Sequence, residues 1–300
     1  MSFSSEVKDE ICRVAIHKKC CALAECYGAF LYGNTFTSDE IKIITENRAF
    51  AERLPKLMKK AFGVEPDMLP DEKKGGKLIV SVTDREKNEA ILQAFGYSWE
   101  TNVSHHINLA MLEEECCKVS FLRGVFLAGG SVTDPEKRYH LELVTNHRSV
   151  SGELYSLLLE MGFEPKETER AGSKITYFKQ SDSIEDMLTL IGAPVSSMKI
   201  MNAKLEKELI NEVNRRVNCE TANIDKAIAA SAEHMQAISK IHKLQGLDSL
   251  PEKLYETALL RMANPEASLA ELATLADPPI TKSALNHRLR KIVQLAEEIE

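Results

Sequence analysis

The feature that most restricts how this chain can fold is an internal repeat. Gly28 and Gly33 recur as Gly124 and Gly129, each 96 residues later. Ile44-Thr45-Glu46-Asn47-Arg48 recurs as Val144-Thr145-Asn146-His147-Arg148, 100 residues on. Phe62-Gly63-Val64-Glu65-Pro66 recurs as Met161-Gly162-Phe163-Glu164-Pro165 at an offset of 99, and Gly96 as Gly192 at 96. Offsets confined to so narrow a range imply a duplication. Two unrelated α/β stretches, the alternative, would leave them without a cause.

Each copy reads as helix-strand-helix-strand-helix. In the first, Cys20 to Tyr32 is an almost wholly apolar helix, which predicts burial on all sides. Strand Ile41–Thr45, helix Asn47–Phe62 with Pro55 as a kink or a later start, strand Lys77–Val82 and helix Asp84–Phe95 follow. Asp71 to Gly76 reads as a turn. In the second copy the corresponding pieces are helix Phe121–Ala128, strand Tyr139–Val144, helix Ser149–Met161, strand Lys174–Phe178 and helix Ser181–Ile191, with a turn at Ala171-Gly172-Ser173. Gly124 and Ala128 lie four apart, on one helix face. Such a bare face admits another backbone, and the expected partner is the helix carrying Gly28. The two copies should form one pseudo-twofold α+β domain with these helices at its centre. A short amphipathic helix, Ser5 to Ile16, precedes them.

From Ser196 onward the pattern is helical. Residues 196–223 read as a charged helical linker that breaks at polar Asn214 to Asn223. Ile224, Ile228, Met235, Ile238, Ile241 and Leu244 then mark one helix face, closed at Gly246. Ser249-Leu250-Pro251-Glu252 and Ser268-Leu269-Ala270-Glu271 have the form of capping boxes, each opening a helix. Thr281-Lys282-Ser283 opens the last helix, with Leu285, Leu289, Ile292 and Ala296 inward. The chain therefore divides into a duplicated domain over 1–195, with repeats near 20–96 and 116–192, the linker, and an all-α domain over 224–300.

Two short helices joined by a tight turn, the second basic, is the helix-turn-helix arrangement. Pro278 through Ala296 contains no acid, and Glu297, Glu298 and Glu300 come only after it. Lys282, Asn286 and Arg290 fall one turn apart on one face, flanked by Ser283, His287 and Arg288, with Lys291 next. Asn can pair with adenine and Arg with guanine, each pair worth about 1–3 kcal/mol of discrimination. Thr281, Ser283 and free helix amides suit phosphates. A solvated basic helix face is the plainer alternative. Net charge is −7, so any nucleic-acid contact must come from a local patch.

Other chemistry is less favoured. The seven cysteines include no C-x-x-C pair, and reduced thiols packed as small hydrophobes are the better reading. A metal site from His105-His106 with Cys116-Cys117 lacks zinc-type spacing, and adjacent ligands diverge on a helix. No metal and no cofactor is expected. The N-terminus has no basic-then-apolar leader and no run spans a membrane, so the expected location is the cytoplasm.

The Gly-ended helix pair, Cys26 to Asn34 and Leu122 to Gly130, resembles the LAGLIDADG helices of homing endonucleases. The resemblance implies a metal-holding acid at the eighth motif position, and here those positions are Gly33 and Gly129. Without carboxylates the metal that such hydrolysis needs has no ligand, so no catalytic residue is assigned. A degenerate LAGLIDADG domain followed by a helix-turn-helix resembles the WhiA regulators of Gram-positive bacteria. Phe121 to Val132, Asn214 to Asn223 and Asn286 to Ile292 carry that likeness. It implies a nucleoid-associated, double-stranded-DNA-binding regulator of transcription, affecting sporulation, or cell division and chromosome segregation. It also implies a possible partner in the transcription machinery, the C-terminal domain being similar to the promoter-reading domain of sigma factors. The rivals are a partner-binding structural protein and a residual metal-dependent nuclease. The N-terminal domain is expected to be a weak DNA binder or a protein-contact module.

Overall fold

The computed structural model describes residues 2–69, 76–97 and 105–299. These separate into two compact units, Met1–Lys207 and Glu208–Glu300. The expected turn over Asp71 to Gly75 lies outside the described residues.

In the first unit, α1 (Phe3–Ile11) precedes two matching sets of elements. The first set is α2 (Lys19–Leu31), β1 (Thr35–Phe36), β2 (Ile41–Thr45), α3 (Arg48–Phe62), β3 (Leu78–Val82) and α4 (Arg85–Ala94). The second is α5 (Glu115–Gly129), β4 (Gly130–Val132), β5 (Leu141–Thr145), α6 (Arg148–Glu160), β6 (Lys166–Arg170), β7 (Ser173–Phe178) and α7 (Ser181–Ile191). Each set makes its own antiparallel sheet, ordered β1-β2-β3 and β4-β5-β7-β6. Ile43 faces Val80 in the first and Leu143 faces Thr176 in the second. The duplicated α+β reading is therefore correct.

The strands read as strands because they alternate. Ile41 and Ile43 in β2, and Leu141 and Leu143 in β5, point into the core, while Lys42 and Glu142 point out. Helix α3 starts where its side-chain cap allows. Asn47 accepts the Phe50 amide at 2.8 Å, and Gly63 closes the helix at φ 76°. The helix continues through Pro55, so a later start is excluded.

Three differences have local causes. Strand β6 is missed by pattern because all five of its residues are exposed and charged or polar. It is an edge strand, held by the two-residue turn Ala171 (φ 50°) and Gly172 (φ 82°), whose twist matches a hairpin. Helix α5 begins at Glu115, six residues before the apolar run, and keeps Gly129 inside it. Finally, α8 is one uninterrupted helix, Pro194–Leu244, so the polar stretch Asn214 to Asn223 does not break it. Polar residues alone do not stop a helix when neither Gly nor Pro intervenes.

In the first unit, α2 and α5 share the most extensive helix contact. They cross at their glycines. A methyl on Gly28 would overlap the Phe121 carbonyl oxygen, and one on Gly124 would overlap that of Glu25. Around this crossing Tyr27 stacks on Phe95 with ring centroids 4.6 Å apart and donates its hydroxyl to the His106 carbonyl at 2.6 Å. Glu25, almost fully buried, takes Arg53 bidentately at 2.6 and 2.9 Å.

The second unit packs the end of α8 against α9 (Glu252–Ala263), α10 (Leu269–Leu275) and α11 (Lys282–Glu297). Its core joins Ile238 and Ile241 to Leu272, Leu285, Leu289 and Ile292. The predicted face on α8 is inward only in part, since Ile224 and Ile228 stay exposed.

Candidate nucleic-acid interface

The turn before α10 is fastened by one buried side chain. Arg261, on α9, donates through Nη1 to the carbonyls of Ala267 at 2.7 Å, Asn264 at 3.3 Å and Pro265 at 3.4 Å. Helix α10 then starts with a formed capping box. The Glu271 amide reaches Ser268 Oγ at 3.3 Å and the Ser268 amide reaches Glu271 Oε2 at 2.7 Å. The box expected at Ser249 does not form, because its hydroxyl donates to the Gly246 carbonyl at 2.6 Å. After α10 the chain turns through Pro278-Pro279, and the Ile280 amide bonds the Ala273 carbonyl at 3.0 Å. Thr281 caps α11, accepting the Ala284 amide at 3.2 Å. That leaves the amides of Lys282 and Ser283 at a helix start, where the dipole favours an anion.

Leu285, Leu289, Ile292 and Ala296 are the buried side of α11. Lys282, Ser283, His287, Arg290 and Lys291 are exposed, and Asn286 is half-buried beside Leu285. At about 100° per residue, Ser283, His287 and Gln294 point most directly away from the core. Lys282, Asn286 and Arg290 form one shoulder of that surface. Gln294 is exposed too and, being neither charged nor capping, carries no signal in the sequence.

Arg288 departs from the expected grouping. It is half-buried and lines a groove with Glu252 and Glu256 of α9 and Asp277 of the turn. It lies about 160° around the helix from Asn286. Sequence spacing by itself does not say which side of the basic cluster the core will take.

Arg261 likewise carries no signal in the sequence, because by pattern it is an ordinary last-turn cation. Its burial, beside a His234 with less than a tenth of its surface exposed, has a local effect. Burial pushes the His234 imidazole below its usual range, and the Arg261 charge adds to the shift.

In the first unit, the two positions that would carry nuclease carboxylates are closed. A Cβ at Gly33 would collide with Ile43 Cδ1 and lie 3.0 Å from the Ala29 carbonyl oxygen. One at Gly129 would lie 2.6 Å from the Val144 carbonyl oxygen and 2.8 Å from Tyr32 Cδ1. The end of α5 already has a cation, since Lys8 donates to the Leu127 carbonyl at 3.0 Å. Burial brings the Lys8 pKa down to about 8, against a smaller opposing effect of Cys12. Three strand cations are met by acids: Lys42 by Glu40 at 3.2 Å, Arg170 by Glu142 at 3.5 Å, and Lys174 by Glu169. His105 and His106 do not join Cys116 and Cys117. His105 bonds the Phe36 carbonyl at 2.7 Å, and His106 bonds Glu153 at 2.8 Å.

Comparison with known proteins agrees with both units. Residues 213–296 match the WhiA C-terminal HTH domain, and residues 118–210 match the WhiA LAGLIDADG-like domain. The chain is 40% identical over 308 residues to a probable cell division protein WhiA of Ruminiclostridium cellulolyticum, covering 100% of this chain and 98% of the relative. It is 37% identical over 312 residues to the Clostridium acetobutylicum protein of the same description, again covering 100% and 98%. The crystal structure of full-length WhiA from Thermatoga maritima superposes with a TM-score of 0.60 at 27% identity, covering 100% of this chain and 99% of that one. Among the described residues, no helix is long and apolar enough to cross a membrane.

Proposed function

The chain belongs to the WhiA family, and on that premise we propose that it is a non-enzymatic regulator that reads double-stranded DNA through α11. Lys282, Asn286, His287 and Arg290 face base edges, while Thr281, Ser283, Lys291 and the first amides of α11 hold phosphates. The observation that carries this reading is an exposed basic helix face with no acid between Pro278 and Ala296, in a chain whose net charge is −7. The relatives are described as probable cell division proteins. By that likeness the regulation concerns cell division and chromosome segregation, or sporulation, in the cytoplasm at the nucleoid. The first unit acts as a scaffold without nuclease chemistry, weakly touching DNA or docking a partner of the transcription machinery. The closed positions at Gly33 and Gly129 support that part.

The test is binding to a promoter-containing fragment and to a scrambled one across a salt series. Asn286→Ala and Arg290→Ala should each cost about 1–3 kcal/mol on the promoter, roughly 5- to 150-fold, and little on the scrambled DNA. Lys291→Ala should weaken both and lower the salt slope by about 1. Arg288→Ala, from the groove side, should leave the slope unchanged. Equal affinity of Asn286→Ala, Arg290→Ala and parent protein for the promoter would discard the assignment. Nicking of supercoiled plasmid in Mg²⁺ or Mn²⁺, lost on mutating this chain, would discard the non-enzymatic part.

A further inference from the structure

The cysteines are not scattered hydrophobes. Cys20 and Cys21 stand at the second and third positions of α2, and Cys116 and Cys117 at the same positions of α5. The two pairs are 96 residues apart, the same offset as the crossing glycines. Cys21 precedes Gly28 by seven residues, and Cys117 precedes Gly124 by seven. Both pairs are therefore about 10 Å along their helices from the crossing point. The tight crossing brings the two helix starts together, and the pseudo-twofold turns one dithiol to face the other. All four sulfurs lie within 4.8 Å of one another.

We propose that these four thiols bind one divalent zinc ion as a closed tetrathiolate site that pins the two repeats together. Zinc–sulfur bonds of about 2.3 Å put tetrahedral sulfurs about 3.8 Å apart. The cluster reaches that by closing about 1 Å, within the freedom of four side chains. Adjacent cysteines on one helix cannot supply a tetrahedron, but two such pairs meeting head-on can. Burial also argues against simple packing. Cys26 is fully buried, as a small core hydrophobe would be, whereas of the four only Cys117 is buried, Cys20 being exposed and Cys21 and Cys116 half-buried.

The surroundings suit the charge. Binding releases four thiol protons and leaves a site of net charge −2, with no change of oxidation state. Neither α2 nor α5 has a side-chain cap, so the positive dipole ends of two helices lie at the cluster, offset in part by Glu115 in the first turn of α5. Lys18 Nζ stands 3.9 Å from Cys116 Sγ. Four soft ligands with no open position favour zinc and a structural role over catalysis. The site lies at the end of the helix pair away from Gly33 and Gly129, so it is unrelated to the lost nuclease metal.

The experiment uses the full chain, purified under reducing conditions without chelator. Elemental analysis should give one zinc per chain. Co²⁺ added to the stripped protein should saturate at one equivalent, with thiolate-to-cobalt charge transfer and the visible bands of tetrahedral cobalt. Zinc should slow alkylation of Cys20, Cys21 and Cys116, mapped by peptide mass, and leave the exposed Cys219 unaffected. Cys20→Ser with Cys116→Ser should abolish the cobalt bands, and Cys12→Ser should not. Three results would overturn the proposal: no saturable cobalt charge transfer in the parent protein, bands that survive in the double variant, or Cys20 alkylated equally fast with and without zinc. The first and third use the unmutated chain, so misfolding of the variant does not protect the idea.

Discussion

Replacing Gly124 by Ala adds one methyl where two helix backbones touch. The new Cβ would overlap the Glu25 carbonyl oxygen and lie 2.8 Å from the Ala29 nitrogen and 2.9 Å from the Glu25 carbonyl carbon. All three are backbone atoms of α2, so no side chain can swing aside. The helices must separate by about 1 Å at their closest point, which loosens the aromatic packing around Tyr27. That places the cost at the upper end of the ~1–3 kcal/mol seen for overpacked cores, or above it. In a unit of this size each kcal/mol moves the midpoint by roughly 2–4 °C, so the first unit should melt about 6–12 °C lower. The control is the same substitution at Gly152. That residue is on the exposed side of α6, where a Cβ meets nothing within 4 Å. There Ala should raise stability by about 0.5–1 kcal/mol through helix propensity. Scanning calorimetry of the full chain reads both. If Gly124→Ala melts within about 2 °C of the parent, less than the shift expected from 1 kcal/mol, the backbone-contact argument is wrong.

Two further outcomes follow from the same geometry. Restoring carboxylates with Gly33→Asp and Gly129→Asp should not bring back metal-dependent cleavage and should destabilise the first unit, chiefly at Gly129, where the Cβ meets the Val144 carbonyl oxygen, whereas at Gly33 it meets the Ile43 side-chain methyl; plasmid nicking and a melt check this, and cleavage would refute it. Asp67 gives a pH dependence. Burial alone would raise its pKa, but the Lys87 ammonium and the Asp84 and Thr83 amides outweigh that and hold it at about 2. A folded pKa below the unfolded ~3.9 stabilises the protein above that value, and the contribution is lost as pH falls through 2. After discounting for a side chain one-quarter exposed, Asp67→Asn should cost about 1–2 kcal/mol at pH 7 and almost nothing near pH 2. Urea titrations at both pH values would contradict this if the gap stayed constant.

Much of this molecule can be read from short windows of residues. The repeat, the alternation in β2 and β5, the Asn47 and Ser268 caps and the acid-free stretch of α11 all depend on neighbours a few positions away. Such signals act through backbone dihedrals and side-chain period, which are local. The failures share the opposite character. Strand β6 carries no apolar pattern because its order comes from β7, and Ser249 caps nothing because a nearer carbonyl takes its hydroxyl. The side to which Arg288 belongs depends on where α9 packs. Likewise the closure at Gly33 and Gly129, and the meeting of two cysteine pairs 96 residues apart, exist only once α2 and α5 cross. Contact between distant segments is set by how closely backbones approach, and no local window contains that distance.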